Sequence, residues 1–202
     1  QGPVFLQQLA ILEGFDLKSM RHNSTEDLHT CIEAAKLAFA DRLRYCGDPR
    51  FIDNPLDELL SKSYAERRRS GVDPGRANND PTPAALKEQG GNTSYFAVAD
   101  GDGNVISMIH SLSAAFGCCV VAGETGVMLN NRAGRGFTLE ERHPNVIAGG
   151  KKTMHTLNCY LLCKKGRPYA AVGTPGGDRQ AQWDVQAIAN LIDFGMDVQE
   201  AV

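Results

Sequence analysis

The sequence contains no apolar run that approaches the roughly 20 residues needed to cross a bilayer. Its charges nearly balance, with 21 Lys and Arg against 24 Asp and Glu and a formal net charge of -3. A chain without a basic excess has no general electrostatic attraction to nucleic acid or to an anionic membrane surface. We therefore expect neither a membrane nor a nucleic acid to be a partner of this protein.

Cysteines are sparse, and they lack the spacing of a metal site. Six occur in 202 residues with no CxxC pair. The histidines expected to lack ligand spacing with any Cys, Asp or Glu are His22, His29, His110 and His143. We expect no metal, and we expect the cysteines to be reduced, buried, small apolar residues of a cytoplasmic protein. Because the chain opens like the middle of a helix, its true N-terminus is expected upstream, which leaves a periplasmic location open.

What is present is a globular composition, 42% hydrophobic and 22% charged, which is sufficient for a sizeable core. Residues 1–70 have helical patterns. One helix is predicted to start at the N-cap Ser24, and a second, at 56–71, ends in three arginines that are expected to lie in solvent. The core-facing stripe of the first helix is predicted to comprise Leu28, Cys31, Ile32, Ala35 and Phe39.

Residues 71–92 are rich in glycine, proline and asparagine, and they predict an exposed, mobile connection. This segment is the best candidate for proteolytic processing. After residue 92, apolar and polar residues alternate with a period of two, which is typical of β-strands. The strands "GVMLNN" and "CYLLCKKGRPYAAVG" and a final helix over "QWDVQAIANLIDFGMDVQEAV" complete the pattern, which predicts a layered α+β fold. The apolar stripe of this helix is predicted to comprise Val185, Ile188, Ala189 and Ile192.

"TSYFAVAD" and "NVISMIHSLS" flank "GDG", which predicts a β-hairpin. If Ala99 faces Val105, then Thr93 faces Ser111, and the two hydroxyls share one face with about 5 Å between their Cβ atoms. The residues predicted to form the core on the other face are Phe96, Val98, Ile106, Met108 and Leu112.

The facing hydroxyls of Thr93 and Ser111 suggest nucleophilic chemistry. If Thr93 were a chain end, its α-amino group, with a pKa near ~8, could accept the hydroxyl proton. An internal threonine has no such base, and both residue types also occur on half-buried strands for packing alone. In "GTPGGDRQAQW", Gly176 and Gly177 could aim N–H groups at an oxyanion, or could serve only a turn with positive φ. This chemistry requires no metal or organic cofactor.

Four stretches, in this order, resemble the γ-glutamyltranspeptidase family of N-terminal nucleophile hydrolases: "TSYFAVADGDGNVIS", "FGCCVVAGETGVMLNN", "GTPGGD" and "NLIDFGMDVQEAV". The resemblance implies part of a four-layer αββα sandwich and self-cleavage of a precursor. Residues 1–92 would be the C-terminal part of a large subunit, and residues 93–202 the catalytic portion of a small subunit. The partners implied are the two subunits of one precursor, with a dimer of heterodimers left open, and a small-molecule amide substrate.

Carried over by position, the resemblance implies that Thr93 is the nucleophile and that the Asn92–Thr93 bond is cleaved. It also implies that Ser111 supplies a second, supporting hydroxyl, and that Gly176 and Gly177 form the oxyanion hole. No cofactor is implied.

At the substrate-recognition positions the sequence departs from the family's pattern. Where γ-glutamyl enzymes carry an acidic side chain for the substrate ammonium, this chain has Arg132 and Arg135. Such a pocket should repel an ammonium and favour a carboxylate, unless both arginines point to solvent. This variant pattern resembles a branch of the family that includes oxamate amidohydrolases. The predicted substrate-binding residues are Ser113, Asn131, Arg132, Arg135, His155 and Thr156.

The function predicted first is a Thr-nucleophile amidohydrolase acting on an amide of a small, carboxylate-bearing acyl group. The first alternative is a γ-glutamyltransferase or glutathione hydrolase, which would recognise the amine through other residues. The second alternative is a non-catalytic homologue that serves as a binding module, which predicts an uncleaved chain.

Overall fold

The computed structural model describes residues 1–79 and 93–202. Of these, residues 1, 93–141 and 145–180 form one compact unit, the hairpin unit, and residues 2–79, 142–144 and 181–202 form a second, the helical unit. The elements are α1 (Gly2–Leu12), α2 (Thr25–Tyr45), α3 (Leu56–Leu59), α4 (Lys62–Arg69), β1 (Thr93–Ala99), β2 (Val105–Ser111), α5 (Ala133–Gly136), β3 (Cys159–Lys164), β4 (Arg167–Gly173) and α6 (Gln180–Ile192).

Helix α2 starts where the sequence predicts, because Ser24 Oγ accepts a hydrogen bond from Asp27 N at 3.2 Å. The predicted core stripe is confirmed at Ala35, which is 7% exposed, but it is wrong at Ile32, which is 55% exposed. The other members, Leu28, Cys31 and Phe39, are half-buried. The helix instead buries a face of small and polar residues, which packs on α1. The polar members of this face are paired, as in the 2.5 Å bond that Gln7 Nε2 donates to Asp41. The buried residues of α2 are Asp27, Thr30, Glu33, Ala34, Ala35, Leu37, Ala38, Asp41 and Arg42.

The second predicted helix is broken into α3 and α4, and Ser61 Oγ caps α4 by accepting from Tyr64 N at 3.2 Å. The expectation that its three terminal arginines lie in solvent is wrong for two of them. Arg69 donates to the carbonyls of Ala10 and Ile11, each at 2.9 Å, and Arg68 donates to Leu37 O at 3.0 Å. The carbonyls at the end of α1 lack intrahelical donors, and Arg69 satisfies two of them.

In the hairpin unit, β1 and β2 pair antiparallel in the predicted register, with Thr93 opposite Ser111 and Ala99 opposite Val105. β3 and β4 form a second hairpin. The stretch "GVMLNN" forms no strand, and contributes only an isolated bridge between Met128 and Val121.

The two hairpins contact each other through the face of β1–β2 that carries the hydroxyls. Ser107 Oγ donates to Val172 O of β4 at 3.1 Å. The Tyr95 ring lies so close to Gly173 that a Cβ there would be 2.6 Å from two ring carbons. The start of β1 is therefore held tightly against the end of β4.

The opposite face of β1–β2, predicted as core, is exposed to solvent in the described part of the chain. The alternation of the two faces was predicted correctly, but the hydroxyl face is the one that packs on β4. In a layered α+β fold the outer face of a sheet packs on helices, and no described residue covers this face. The exposed fractions are 46% for Phe96, 56% for Val98, 57% for Ile106 and 46% for Met108, and Leu112 is half-buried.

The cysteines form no disulfide, but the prediction that they are buried is wrong, because four of the six are exposed and Cys31 and Cys46 are half-buried. Cys118 and Cys119 lie in the exposed loop after β2, and Cys159 and Cys163 lie on the exposed face of β3. Burial raises the pKa of the half-buried Cys31 thiol to about 12, and the neighbouring carboxylate of Asp27 adds to the shift.

The described residues include no group of three or more His, Cys, Asp or Glu side chains that could hold a metal ion. Among the same residues, no helix is long and apolar enough to cross a membrane. Helix α6 buries Val185, Ile188 and Ala189 as predicted, but it ends at Ile192 and does not continue to Val202 as the sequence pattern predicted. Ile192, predicted on the same stripe, is 59% exposed at this end.

Candidate active site

The register of the first hairpin is fixed by its loop. Asp100 Oδ1 accepts from the backbone amides of Asp102 and Asn104 at 3.0 and 2.9 Å, and Gly103 adopts a φ of 86°. Hydrogen bonds from Asn104, first from its side chain, hold the pKa of Asp100 below its usual value. Because the loop is closed in this way, it fixes which residues of β1 and β2 lie opposite each other.

At the far end of the hairpin, this register brings the two predicted catalytic hydroxyls together. Thr93 Oγ1 donates a hydrogen bond to Ser111 Oγ at 3.0 Å, and both residues are half-buried. Thr93 is the first residue of β1 and Ser111 the last of β2. Asn92, the predicted cleavage partner, lies outside the described residues.

Ser113 adds a second donor to the Ser111 hydroxyl. Its backbone N–H donates to Ser111 Oγ at 3.0 Å, and it can do so because the Ser113 backbone turns sharply, with a left-handed φ of 75°. The Ser113 side chain is only 4% exposed, and its own hydroxyl has no hydrogen-bond partner among the described residues. It is energetically unfavourable to bury a hydroxyl without a hydrogen-bond partner. The Ser113 hydroxyl is therefore a candidate group for binding a ligand.

The segment after β2 is tied to the predicted substrate-binding stretch. Asn131 Oδ1 accepts from Ala114 N at 2.9 Å, and Asn131 N donates to Leu112 O at 3.1 Å. The next residue, Arg132, donates from Nη2 to Thr156 Oγ1 at 3.0 Å, and Thr156 is 4% exposed. Hydrogen bonds and short chain segments thus connect Thr93 to Arg132.

The other two predicted binding residues, Arg135 and His155, differ in their burial. Arg135 lies in the single turn of α5 and is half-buried, like Arg132, so neither arginine points simply into solvent. His155 is exposed, although its neighbour Thr156 is buried.

The glycine turn follows β4 directly. Gly176 has a φ of 150° and Gly177 a φ of 59°, values at which a side chain would be strained. Gly176 O accepts from Arg179 N at 3.1 Å, which closes a single turn of 3-10 helix ahead of α6. Because the end of β4 packs on Tyr95, two residues from the candidate nucleophile, the turn emerges next to the start of β1.

Sequence reasoning missed Gln180, the first residue of α6. It is completely buried, and its Oε1 accepts from Asn158 N at 2.9 Å. The signal available in the sequence was a glutamine directly after a glycine turn, at a position where a helix begins. Its burial depends on Asn158, 22 residues away in sequence, and could not be inferred from the local pattern.

An α+β fold with paired hydroxyls at the start of a strand hairpin and a glycine turn ahead of a helix belongs to the class of N-terminal nucleophile hydrolases. Within this class, the chain belongs to the gamma-glutamyltranspeptidase family, whose sequence profile matches residues 1–202.

Individual relatives support this assignment. The chain is 40% identical over 202 residues to the glutathione hydrolase-like YwrD proenzyme of Bacillus subtilis, covering 100% of this chain and 37% of the relative. It is 37% identical over 201 residues to the acylase ACY 1 proenzyme of Pseudomonas sp. strain SE83, covering 100% and 36%. The crystal structure of cephalosporin acylase from Bacillus halodurans superimposes with a TM-score of 0.83 at 37% identity, covering 99% of this chain and 35% of that one. The chain thus spans a little over a third of the length of these relatives.

Proposed function

We propose that the protein is an autoprocessing amidohydrolase with Thr93 as its nucleophile, and that residue 93 becomes the first residue of a small subunit. The observation that carries this proposal is the 3.0 Å hydrogen bond from Thr93 Oγ1 to Ser111 Oγ at the open end of the β1–β2 hairpin. The names of the relatives, which are proenzymes, support the processing step.

In the precursor, the Thr93 hydroxyl oxygen attacks the carbonyl carbon of residue 92, and the peptide nitrogen leaves with a proton. The product is an ester on Thr93 with a free α-amino group. Water then hydrolyses the ester, which releases residues 1–92 as the end of a large subunit. The α-amino group created by this step is the base that an internal threonine lacks.

In the mature enzyme, the α-amino group accepts the Thr93 hydroxyl proton as the oxygen attacks the substrate amide. Ser111 Oγ, which already receives that hydroxyl's hydrogen bond, keeps the nucleophile oriented. The N–H groups of Gly176 and Gly177 stabilise the tetrahedral oxyanion. The amine leaves with the proton, and water, or an acceptor amine, then resolves the acyl-enzyme.

For the substrate, we propose an amide of a small acyl group that carries a carboxylate, of which oxamate is the simplest example. The charge of the half-buried Arg132 guanidinium, which donates to Thr156 Oγ1 at 3.0 Å, supports this choice. A guanidinium matches the geometry and the charge of a carboxylate and repels an ammonium. The stretch 130–135 contains no acidic side chain that could bind a substrate ammonium.

A second candidate is hydrolysis or transfer of a γ-glutamyl group. It is favoured by the chain's 34% identity, over 213 residues, to a glutathione hydrolase proenzyme of Escherichia coli, covering 99% of this chain and 37% of that one. In this case, residues other than Arg132 would bind the substrate ammonium.

The nucleophile is tested by the intact mass of the purified full-length protein and of its Thr93→Ala variant. We expect two subunits in the parent, one beginning at Thr93, and a single uncleaved chain in the variant. Ser94→Ala, which removes the exposed hydroxyl next to Thr93, is the matched control and should cleave normally. An uncleaved parent would reject this mechanism and favour a non-catalytic binding module.

The substrate class is tested by comparing ammonia release from oxamate with turnover of γ-glutamyl-4-nitroanilide. We expect faster turnover of oxamate and a large rise of its KM in Arg132→Leu. The control is Arg167→Leu, at an exposed arginine at the start of β4. Efficient turnover of the γ-glutamyl anilide with none of oxamate would instead support the second candidate.

A further inference from the structure

Gln180 joins the glycine turn to the second hairpin. It follows the Gly177–Arg179 turn directly, begins α6, and has no exposed surface. Its side-chain Oε1 accepts the backbone N–H of Asn158, the residue that precedes β3, at 2.9 Å.

Asn158 also lies next to Gly173, the residue after which the loop that carries the two glycines begins. Cys159, the next residue, pairs with Gly173 at the end of β4, and a Cβ on Gly173 would lie 3.4 Å from Asn158 O. The loop 174–179 therefore leaves the hairpin beside Asn158 and returns to it through Gln180. One residue closes both ends of the loop that carries the two glycines.

Such closure matters because glycines do not hold their own conformation. Gly176 and Gly177 occupy positive φ values, and glycine moves among backbone conformations more freely than any other residue. Donors that stabilise an oxyanion act only when they are already oriented toward its position, within about 0.5 Å. The orientation of this turn must therefore come from contacts outside the glycines. Gln1 Nε2 donates to Asp178 O at 3.0 Å, and Asn158 and Gln180 hold the two ends of the loop.

The chemistry of the Gln180 side chain argues against packing as its only role. Its Nε2 is buried and has no hydrogen-bond partner among the described residues, which is unfavourable for a buried donor. Methionine would fill a similar volume without this cost. Methionine has no strong acceptor, however, and the buried N–H of Asn158 would then lose the partner that Gln180 gives it.

We propose that Gln180 is a positioning residue for catalysis, which sets the orientation of the Gly176 and Gly177 amides through its bond to Asn158. This inference rests on the proposed function, in which those amides stabilise the oxyanion. Since an oxyanion forms only in the transition state, loss of the bond should lower kcat and leave KM unchanged.

The test uses Gln180→Met and Gln180→Glu in the full-length protein, with kcat and KM measured on the amide that the parent hydrolyses. We expect Gln180→Met to lower kcat about 30-fold, less than the ~10²–10³-fold reported for removal of an oxyanion donor itself, with KM within about twofold. Gln180→Glu keeps the acceptor and should retain most of kcat. Gln182→Met, two residues further along α6, is the matched control and should leave kcat unchanged.

Wild-type kcat in Gln180→Met would overturn the inference, and so would a fall in Gln180→Glu as large as that in Gln180→Met. If Gln180→Met does not fold, Gln180→Asn replaces it, because its shorter amide cannot reach Asn158. The same loss of kcat is then expected, and wild-type kcat overturns the inference. Failure of the proposed function is distinguished by Thr93→Ala: turnover in that variant rejects the nucleophile, whatever Gln180 does.

Discussion

In the helical unit, the buried carboxylate of Asp41 accepts a hydrogen bond from Gln7 at 2.5 Å and lies 3.0 Å from the Arg68 guanidinium. In the hairpin unit, the equally buried hydroxyl of Ser113 has no hydrogen-bond partner among the described residues, and neither does the side-chain nitrogen of Gln180. Both of these residues lie beside the candidate catalytic groups. In the helical unit, the buried Arg68 Nε also makes no hydrogen bond among the described residues, but it lies 3.0 Å from the Asp41 carboxylate. The difference between the units is therefore that the buried polar atom of the helical unit has an ion-pair partner.

Backbone strain is distributed in the same way. In the helical unit, the described non-glycine residue with positive φ is Asn23, a residue type that tolerates this conformation. In the hairpin unit, the residues with positive φ are Ser113, Phe116, Cys119 and Lys165. Departures from local preference are expected at functional sites, where the surrounding structure offsets their cost. The comparison therefore supports a catalytic role for the hairpin unit and a structural role for the helical unit.

The strongest test of this comparison removes the Ser111 hydroxyl. We expect Ser111→Ala to lower kcat about a hundredfold, because the variant loses the hydroxyl that orients the nucleophile. Ser107→Ala is the matched control: it removes a serine hydroxyl from the same face of β2, where it binds Val172 O at 3.1 Å. If both variants lose kcat equally, the effect is structural and the Thr93–Ser111 pair has no special role.

A smaller effect, on stability, is expected from Asp41→Ala in the helical unit. This change leaves the Arg68 guanidinium, 27% exposed, without its ion-pair partner, and should lower the free energy of unfolding in urea by about 2 kcal/mol. Burial, and secondarily Asp41, raises the pKa of Tyr64 to about 12, so the same variant should lower that pKa in an absorbance titration.

Asp57→Ala, at an exposed carboxylate of α3, is the control for the Asp41 variant and should change neither quantity. The kcat of Asp41→Ala should remain that of the parent wherever the protein is folded. If Asp41→Ala instead loses much of its kcat and none of its stability, the proposal that the helical unit has only a structural role is wrong.

The sequence was sufficient to predict the hairpin register, because alternation and a glycine-containing loop leave few pairings of β1 and β2. It predicted the wrong buried face for both α2 and the first hairpin. In each case the outcome depends on a distant partner: Gln7 and Arg68 make the polar face of α2 the buried one, and β4 packs on the hydroxyl face of β1–β2. Periodicity separates the faces of an element, whereas tertiary contacts decide which face is covered.

The residues of the candidate site also fall into two groups, those that depend on local geometry and those that depend on distant contacts. Thr93, Ser111 and the glycine pair could be found from spacing and resemblance, because their chemistry depends on local geometry. The Arg132–Thr156 bond and the burial of Gln180 connect segments more than 20 residues apart, and so they became visible only in the folded chain.

The mildest expected effect compares one strained residue from each unit. Cys119 adopts a φ of 61° on an exposed loop, and Asn23 adopts a φ of 56° just before α2. Glycine accepts this conformation without a Cβ clash, so Cys119→Gly should raise the free energy of unfolding by about 0.5–1 kcal/mol.

Asn23→Gly should change the free energy of unfolding by only a few tenths of a kcal/mol, because asparagine already tolerates the left-handed region and glycine adds freedom to the unfolded chain. Urea titrations of the two variants measure the difference directly. Equal gains would mean that the strain at Cys119 is no greater than that at Asn23. A gain at Cys119 alone, with unchanged kcat, would show that strain in the hairpin unit extends beyond the residues that catalysis requires.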